Sequence, residues 1–131
     1  MRHRADDWMH EAESSLATAQ DLIAAGRHSK AMFEARQAVE NALKGAHEVV
    51  HRLEAPYVHG LRQLARAAFE QLPEEIRDDI DRLDPLYTMT RYPNAITARP
   101  SEYYSEADSI ASLAAATEAL EWIKEQLRAM S

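Results

Sequence analysis

Apolar side chains recur every three or four positions along most of the chain, which is the spacing of one face of an α-helix. One such stripe runs from Asp6 to Ala25, and a second runs from Ser29 to Val50 over about six turns. Asp6 and Asp7 suit the positive end of the first helix dipole, and Gly26 suits the turn that follows its last residue. The pattern therefore predicts two long consecutive helices.

Prolines divide the middle of the chain into shorter helical segments. Leu61 to Leu72 keeps the helical spacing and stops at Pro73, a residue that is suited to begin a new helical turn. A short amphipathic piece follows over residues 74–84 and stops at Pro85. We expect a short third helix, with this piece either continuing it through a kink or forming a helix of its own.

The last long stripe starts at a capping box, in which Ser105 is followed three residues later by Asp108, and it extends to Leu127. Residues 86–104 lack a helical period and are predicted to form a loop, which is long for a compact domain and therefore favours a function. No internal repeat interrupts this order of elements. The prediction is an all-α fold, an antiparallel bundle of four or five helices formed by residues 1–131 as a single domain.

Composition supports a helical protein of a reducing compartment. Glycine occurs only three times and alanine is abundant, so helix propensity is high along the chain. The sequence contains no cysteine, which excludes disulfides, thiol nucleophiles and thiolate metal sites. It has neither an apolar run of 18 residues nor the apolar segment of a signal peptide. We therefore expect a cytoplasmic protein that does not associate with membranes.

The net charge of −7 argues against a broad basic face for duplex DNA, although it leaves room for a small RNA site. The charge is uneven, because carboxylates crowd residues 74–84 whereas residues 85–101 contain two arginines and no carboxylate. The three glycines stand far apart, which excludes a phosphate-binding glycine-rich loop. Residues 85–101 are therefore where we expect a ligand, and we expect no metal and no cofactor other than a nucleotide.

Four segments, in order and at similar spacing, resemble segments of one known family: Trp8 with residues 19–26, the run from Ala31 to Lys44, Val58-His59-Gly60-Leu61, and Tyr87 with Arg91-Tyr92-Pro93-Asn94. That family is the HEPN domains, the nucleotide-binding helical bundles of higher eukaryotes and prokaryotes, and the likeness is to the prokaryotic subgroup associated with nucleotidyltransferases. The resemblance covers nearly the whole chain. It implies a homodimer that pairs with a minimal nucleotidyltransferase as a toxin–antitoxin-like module.

The resemblance also raises a catalytic alternative, because many HEPN proteins are metal-independent endoribonucleases that use an arginine, four to six other residues and then a histidine. Arg52 and His59 have six residues between them. A histidine can exchange a proton with the ribose 2′-hydroxyl or the leaving oxygen, and an arginine can hold the phosphate. Leu53 departs from the family pattern, which usually has a polar residue directly after the arginine. Arg52 and His59 are therefore either a catalytic pair or a surface arginine and a helix-start histidine.

The predicted loop is rich in groups that bind nucleotides, because aromatic rings stack on bases and arginines hold phosphates. These groups are Tyr87, Arg91, Tyr92, Arg99, Tyr103 and Tyr104. We predict that they bind a nucleotide or single-stranded RNA, with Arg91 and Tyr92 as the preferred contacts. The alternative is that the tyrosines only anchor the loop by burying their rings.

His47-Glu48-Val49-Val50-His51 matches the zinc-peptidase pattern of two histidines one helical turn apart with a glutamate between them. A zinc peptidase also needs a third ligand and a substrate cleft, and the sequence offers only Glu54 or Glu70 as a guess for that ligand. Zinc peptidase therefore stays a remote alternative. Two main hypotheses remain, a nucleotide- or partner-binding module and a metal-independent endoribonuclease.

Overall fold

The computed structural model describes residues 4–130, and every regular element in this range is a helix. Five helices of eight residues or more build the fold: α1 (Arg4–Ala24), α2 (His28–His51), α3 (Leu61–Ala68), α4 (Glu74–Leu83) and α8 (Glu106–Met130). Three single turns connect α4 to α8: α5 (Leu86–Met89), α6 (Pro93–Ile96) and α7 (Pro100–Tyr103). The predicted all-α fold is confirmed. None of the helices in residues 4–130 is long and apolar enough to span a membrane.

A tight turn after α1 sends α2 back along it. Gly26 has a φ of 75°, and its N–H donates to the carbonyl of Ile23 at 3.0 Å. The N–H of Arg27 donates to the carbonyl of Leu22 at 2.9 Å, which completes a Schellman motif. Only glycine adopts this positive φ without steric cost, so the predicted role of Gly26 is confirmed.

α2 occupies the centre of the fold, where it contacts α1, α3, α5, α7 and α8. Small side chains on its buried face allow the neighbouring helices to approach closely. At Gly45, an added Cβ would lie 3.0 Å from the Cβ of Trp8 on α1, so this glycine sets the spacing of the two helices. The larger core side chains come from α2, α3, α4 and α8: Leu43, Leu61, Leu64, Leu83, Leu120 and Ile123.

Residues 86–104 differ from the predicted loop, because they form three consecutive turns of helix. Pro93 and Pro100 each take the first position of a turn, where the missing N–H of proline costs nothing. A single turn is too short to show a hydrophobic period, which is why the pattern indicated no helix here. α3 is also shorter than predicted, since the backbone is already extended at Phe69.

The predicted capping box is present at the start of α8. The N–H of Ser105 donates to Oδ2 of Asp108 at 2.9 Å, and the N–H of Asp108 donates to Oγ of Ser105 at 3.2 Å. These reciprocal bonds satisfy two of the N–H groups that a helix start leaves without a partner. They fix the point at which the connecting turns enter the last helix.

Candidate functional site

A buried arginine holds the middle of the fold together. Arg36 is 1% exposed, and helical spacing places Glu40 one turn after it on α2. Its Nη1 donates to Oε1 of Glu40 at 2.8 Å. Its Nε donates to the carbonyl of Asp84 at 3.1 Å, and its Nη2 donates to the carbonyl of His59 at 2.5 Å. The charge is therefore compensated, and the guanidinium links α2 to the residues beside α3 and α4.

Asp84 is the second anchor of this cluster. Its Oδ1 accepts a hydrogen bond of 2.8 Å from the N–H of Leu61, the first residue of α3, and lies 3.5 Å from Nη2 of Arg36. Its Oδ2 lies 3.7 Å from Nη1 of Arg62, whose Nε also donates to Oδ1 of Asp81 at 2.6 Å. The end of α4 is thereby attached to the start of α3, and both cations already have carboxylate partners.

His59 lies just before α3 at the edge of this cluster. Its side chain is 58% exposed, and its ring stacks on Tyr87 with a centroid distance of 4.9 Å and an interplanar angle of 18°. Nδ1 lies 3.1 Å from Oε2 of the buried Glu40. An ionised carboxylate only accepts, so Nδ1 is the donor and Nε2 is the acceptor of the neutral ring. The imidazole is held in one tautomer and one orientation, and it is reachable from solvent.

An open cleft of about 330 Å³ lies beside His59 and Tyr87. The remaining lining residues come from the buried cluster and from the start of α5: Arg36, Gly60, Arg62, Asp84, Pro85 and Thr88. Because Arg36 and Arg62 are paired with carboxylates, the cleft presents an imidazole and an aromatic face rather than a free positive charge.

Arg91 packs against three aromatic rings, one of which is that of Tyr87. Its Cζ lies 4.7 Å from the ring centroid of Tyr87, 5.2 Å from that of Phe33 and 5.6 Å from that of Tyr92. These distances are within the range of cation–π contact. Its side chain is exposed, and in the described part of the chain it has no ion pair. A second cavity of about 330 Å³ adjoins it, lined by Lys30, Phe33, Thr90 and Arg91.

The other predicted loop residues lie elsewhere or are engaged. The side chain of Arg99 is 79% exposed and lies 3.4 Å from Oε1 of Glu102. Tyr103 is 58% exposed and packs edge-on against Tyr104, at a centroid distance of 5.0 Å. Tyr104 is half-buried and donates to the carbonyl of Met89 at 3.4 Å, and burial raises the pKa of its hydroxyl. Tyr104 therefore anchors the connecting turns.

Arg52 does not line the His59 cleft. It is the residue that follows α2, it has a φ of 55°, and its N–H closes the helix by donating to the carbonyl of Glu48 at 3.0 Å. Its side chain is exposed. The structure thus brings His59, Tyr87, Arg91 and Tyr92 to one surface and leaves Arg52 outside it.

The two histidines and the glutamate of the zinc-peptidase pattern all make hydrogen bonds within the fold. The Nδ1 of His47 lies 3.3 Å from the carbonyl of Leu53, and the Nε2 of His51 lies 2.6 Å from the carbonyl of Ala67. Glu48 accepts a hydrogen bond from the indole N–H of Trp8. Across residues 4–130, no group of three or more histidine or acidic side chains is placed to hold a metal ion. These contacts fasten the end of α2 to its neighbours.

Comparison with known proteins decides the family. The HEPN domain family matches residues 5–126. The chain belongs to the HEPN domain family. A search of curated proteins gave no match.

Two solved structures share the fold of this HEPN chain over nearly their full length. TT1696 from Thermus thermophilus is 31% identical, with a TM-score of 0.86 over 95% of this chain and 98% of that one. ST0689, an archaeal HEPN homologue, is 29% identical, with a TM-score of 0.81 over 97% of this chain and 99% of that one. The chain therefore shares its fold with both of these structures.

Sequence reasoning missed several groups of the candidate site, namely Lys30, Phe33, Arg36, Glu40 and Asp84. A signal for two of them is present, since Arg36 and Glu40 interrupt the apolar stripe of α2 at a spacing of four residues. Charges inside an apolar stripe indicate a buried pair. Asp84 has no comparable signal, because its partners lie far away in the sequence.

Proposed function

We propose that this HEPN chain binds a nucleotide or single-stranded RNA on the Tyr87 surface, which consists of Phe33, His59, Tyr87, Arg91 and Tyr92. The observation that carries the proposal is the exposed guanidinium of Arg91, which stacks on Tyr87 and has no carboxylate partner in residues 4–130. Proteins that bind single-stranded nucleic acid stack its bases on aromatic rings and contact its phosphates with arginines. Binding an anion here breaks no existing ion pair.

His59 adds a polar group to the same surface. Its ring stacks on Tyr87, and its orientation is fixed by Glu40. A histidine in this position can hydrogen-bond a ribose hydroxyl or a phosphate oxygen. The exposed ring of Tyr92, beside Arg91, offers a further face for a base.

Partners form the second part of the proposal, and they rest on the family resemblance. The chain acts as a homodimer beside a minimal nucleotidyltransferase, in a toxin–antitoxin-like pair. Co-expression with the neighbouring gene product followed by size-exclusion chromatography tests this arrangement. A stable complex containing both chains supports the pairing, and separate elution at micromolar concentration counts against it.

A matched pair of variants tests binding. The chain offers Arg91 and Arg99, two exposed arginines between α5 and α7, of which only Arg99 has an acidic partner. Fluorescence anisotropy with a labelled RNA decamer of mixed sequence should show that Arg91→Ala weakens binding about tenfold, the size of one lost charged contact to a phosphate. Arg99→Ala should bind like the unmodified protein. Equal losses in both variants, or none in either, would contradict a site at Arg91.

A metal-independent endoribonuclease is the second candidate function, and one observation favours it. His59 has the geometry of a general acid–base group, since its Nδ1 is bound to a buried carboxylate while its ring is exposed. Arg52 does not line the same cleft, so its participation requires the Arg52 of a second copy of the chain.

Cleavage of total RNA by the folded protein in the presence of EDTA tests this candidate. Enzymatic cleavage should be lost in both His59→Ala and Arg52→Ala while the unmodified protein and Arg99→Ala remain active. If the unmodified protein leaves RNA intact, binding remains as the proposed function. If only Arg52→Ala retains activity, His59 acts with a different cation.

A further inference from the structure

Two cavities of equal size flank the stacked pair of Tyr87 and Arg91. Each has a volume of about 330 Å³, which is at the small end of the range for ligand pockets. Tyr87 lines the cavity that contains His59, whereas Arg91 lines the cavity that contains Lys30. The two sets of lining residues have no member in common. Each cavity is therefore large enough for part of a nucleotide.

The charges of the two cavities differ. In the His59 cavity, the cations Arg36 and Arg62 are within 4 Å of Asp84, which lines the same cavity. A phosphate placed there would meet that carboxylate and compete with existing ion pairs. The local charge thus disfavours the His59 cavity as the seat of an anion.

The Lys30 cavity has the opposite character. Lys30 and Arg91 are both exposed, and neither forms an ion pair with any residue of the described chain. The other lining residues, Phe33 and Thr90, are uncharged. Thr90 is buried and its hydroxyl donates to the carbonyl of Leu86 at 2.5 Å, so it forms a fixed wall. Two cations without acidic partners around a cavity of this size are the chemistry that attracts a phosphate.

We propose that the cavity lined by Lys30, Phe33, Thr90 and Arg91 is a phosphate subsite, and that the His59 cavity takes the ribose and base of the same ligand. This inference rests on the proposed binding function and assigns a place to each part of the ligand. Tyr87 and Arg91 lie at the boundary between the two cavities, where Arg91 can keep its contact with the Tyr87 ring while its guanidinium binds the phosphate.

The salt dependence of RNA binding tests the assignment, because each lost phosphate contact lowers the slope of log K against log salt by about 0.7 for single strands. With the labelled decamer, Lys30→Ala should reduce the magnitude of this negative slope by about 0.7. Lys30→Arg keeps the positive charge and should have the slope of the unmodified protein. Arg62→Ala, which removes a cation from the His59 cavity, should leave the slope unchanged. Thermal unfolding of each variant confirms that the protein is folded.

The outcomes separate the subsite from the function. A slope that falls in Arg62→Ala and not in Lys30→Ala would place the phosphate in the His59 cavity, and would overturn the subsite while leaving RNA binding intact. Unchanged slopes in both variants would overturn the subsite as well. Failure of the unmodified protein to bind the decamer at any salt concentration would overturn the proposed function together with the subsite.

Discussion

Arg36 and Arg91 lie against the same tyrosine, yet they occupy opposite environments. Their Cζ atoms are 5.1 Å and 4.7 Å from the ring centroid of Tyr87. Arg36 is buried and bound to the side chain of Glu40 and the carbonyls of His59 and Asp84. Arg91 is exposed, contacts three aromatic rings and has no ion pair within residues 4–130.

The difference separates a cation used for folding from one available to a ligand. A buried guanidinium has lost its water, so its carboxylate and carbonyl partners must remain in place. An exposed guanidinium that only stacks on rings keeps its hydrogen-bonding edges hydrated and can exchange that water for a phosphate. Residue type alone does not distinguish the two, whereas burial and pairing do.

Removing Arg36 should have the largest effect of the changes considered. Arg36→Ala leaves the buried carboxylate of Glu40 without its nearest cation, so we expect the free energy of unfolding to fall by about 3–5 kcal/mol. Arg91→Ala loses only exposed stacking and should cost less than about 1 kcal/mol. Urea denaturation followed by circular dichroism measures both. Similar losses in the free energy of unfolding would contradict the distinction between a structural Arg36 and an Arg91 that is available to a ligand.

Local signals in the sequence were sufficient for most of the fold. The period of the apolar residues and Gly26 predicted α1, α2 and the turn between them, and Ser105 with Asp108 predicted the start of α8. These features depend on residues within a few positions of one another, so one sequence contains them. The turns α5 to α7 were missed, because four residues are too few to show a period.

The candidate site was only partly predictable for the same physical reason. His59 was identified through the family resemblance, and Tyr87 and Arg91 through the chemistry of their side chains as well; in the structure the three lie together. The contact of Arg36 with Asp84 joins residues 48 positions apart, and no local pattern specifies it. The ion pair that distinguishes Arg99 from Arg91 is local, because Glu102 follows Arg99 by three residues. This pairing could therefore have been predicted from the sequence.

A carboxyl group that faces another carboxyl group makes the stability of the fold depend on pH. Asp79 on α4 lies beside Glu118 on α8, and burial, followed by the neighbouring carboxyl group of Glu118, raises the pKa of Asp79 to about 7. In the unfolded chain its pKa returns to about 3.9. The folded state therefore holds a proton that the unfolded state releases, and this contribution to stability is lost as the pH rises from about 4 through 7.

Asp79→Asn should remove that dependence, because an amide stays neutral at every pH. Urea denaturation at pH 5 and pH 8 should show that the variant gains stability relative to the unmodified protein as the pH rises. Glu75→Gln, which removes an exposed carboxylate from the same helix, is the control and should show a smaller change between the two pH values. If the free energies of unfolding of Asp79→Asn and the unmodified protein differ by the same amount at pH 5 and pH 8, the raised pKa of Asp79 is contradicted.

Replacing Arg99 should have the smallest effect on stability. It also separates the effect of an ion pair from that of burial, because Arg36 and Arg91 differ in both. Arg99 is exposed like Arg91 but paired like Arg36, with Glu102 at 3.4 Å. Solvent screens an exposed ion pair and both side chains lose freedom in making it, so Arg99→Ala should change the free energy of unfolding by less than about 0.5 kcal/mol. A loss of several kcal/mol would show that pairing alone makes an arginine structural. A loss within that limit, measured beside a large loss in Arg36→Ala, would show that an arginine ion pair stabilises this fold only where water is excluded.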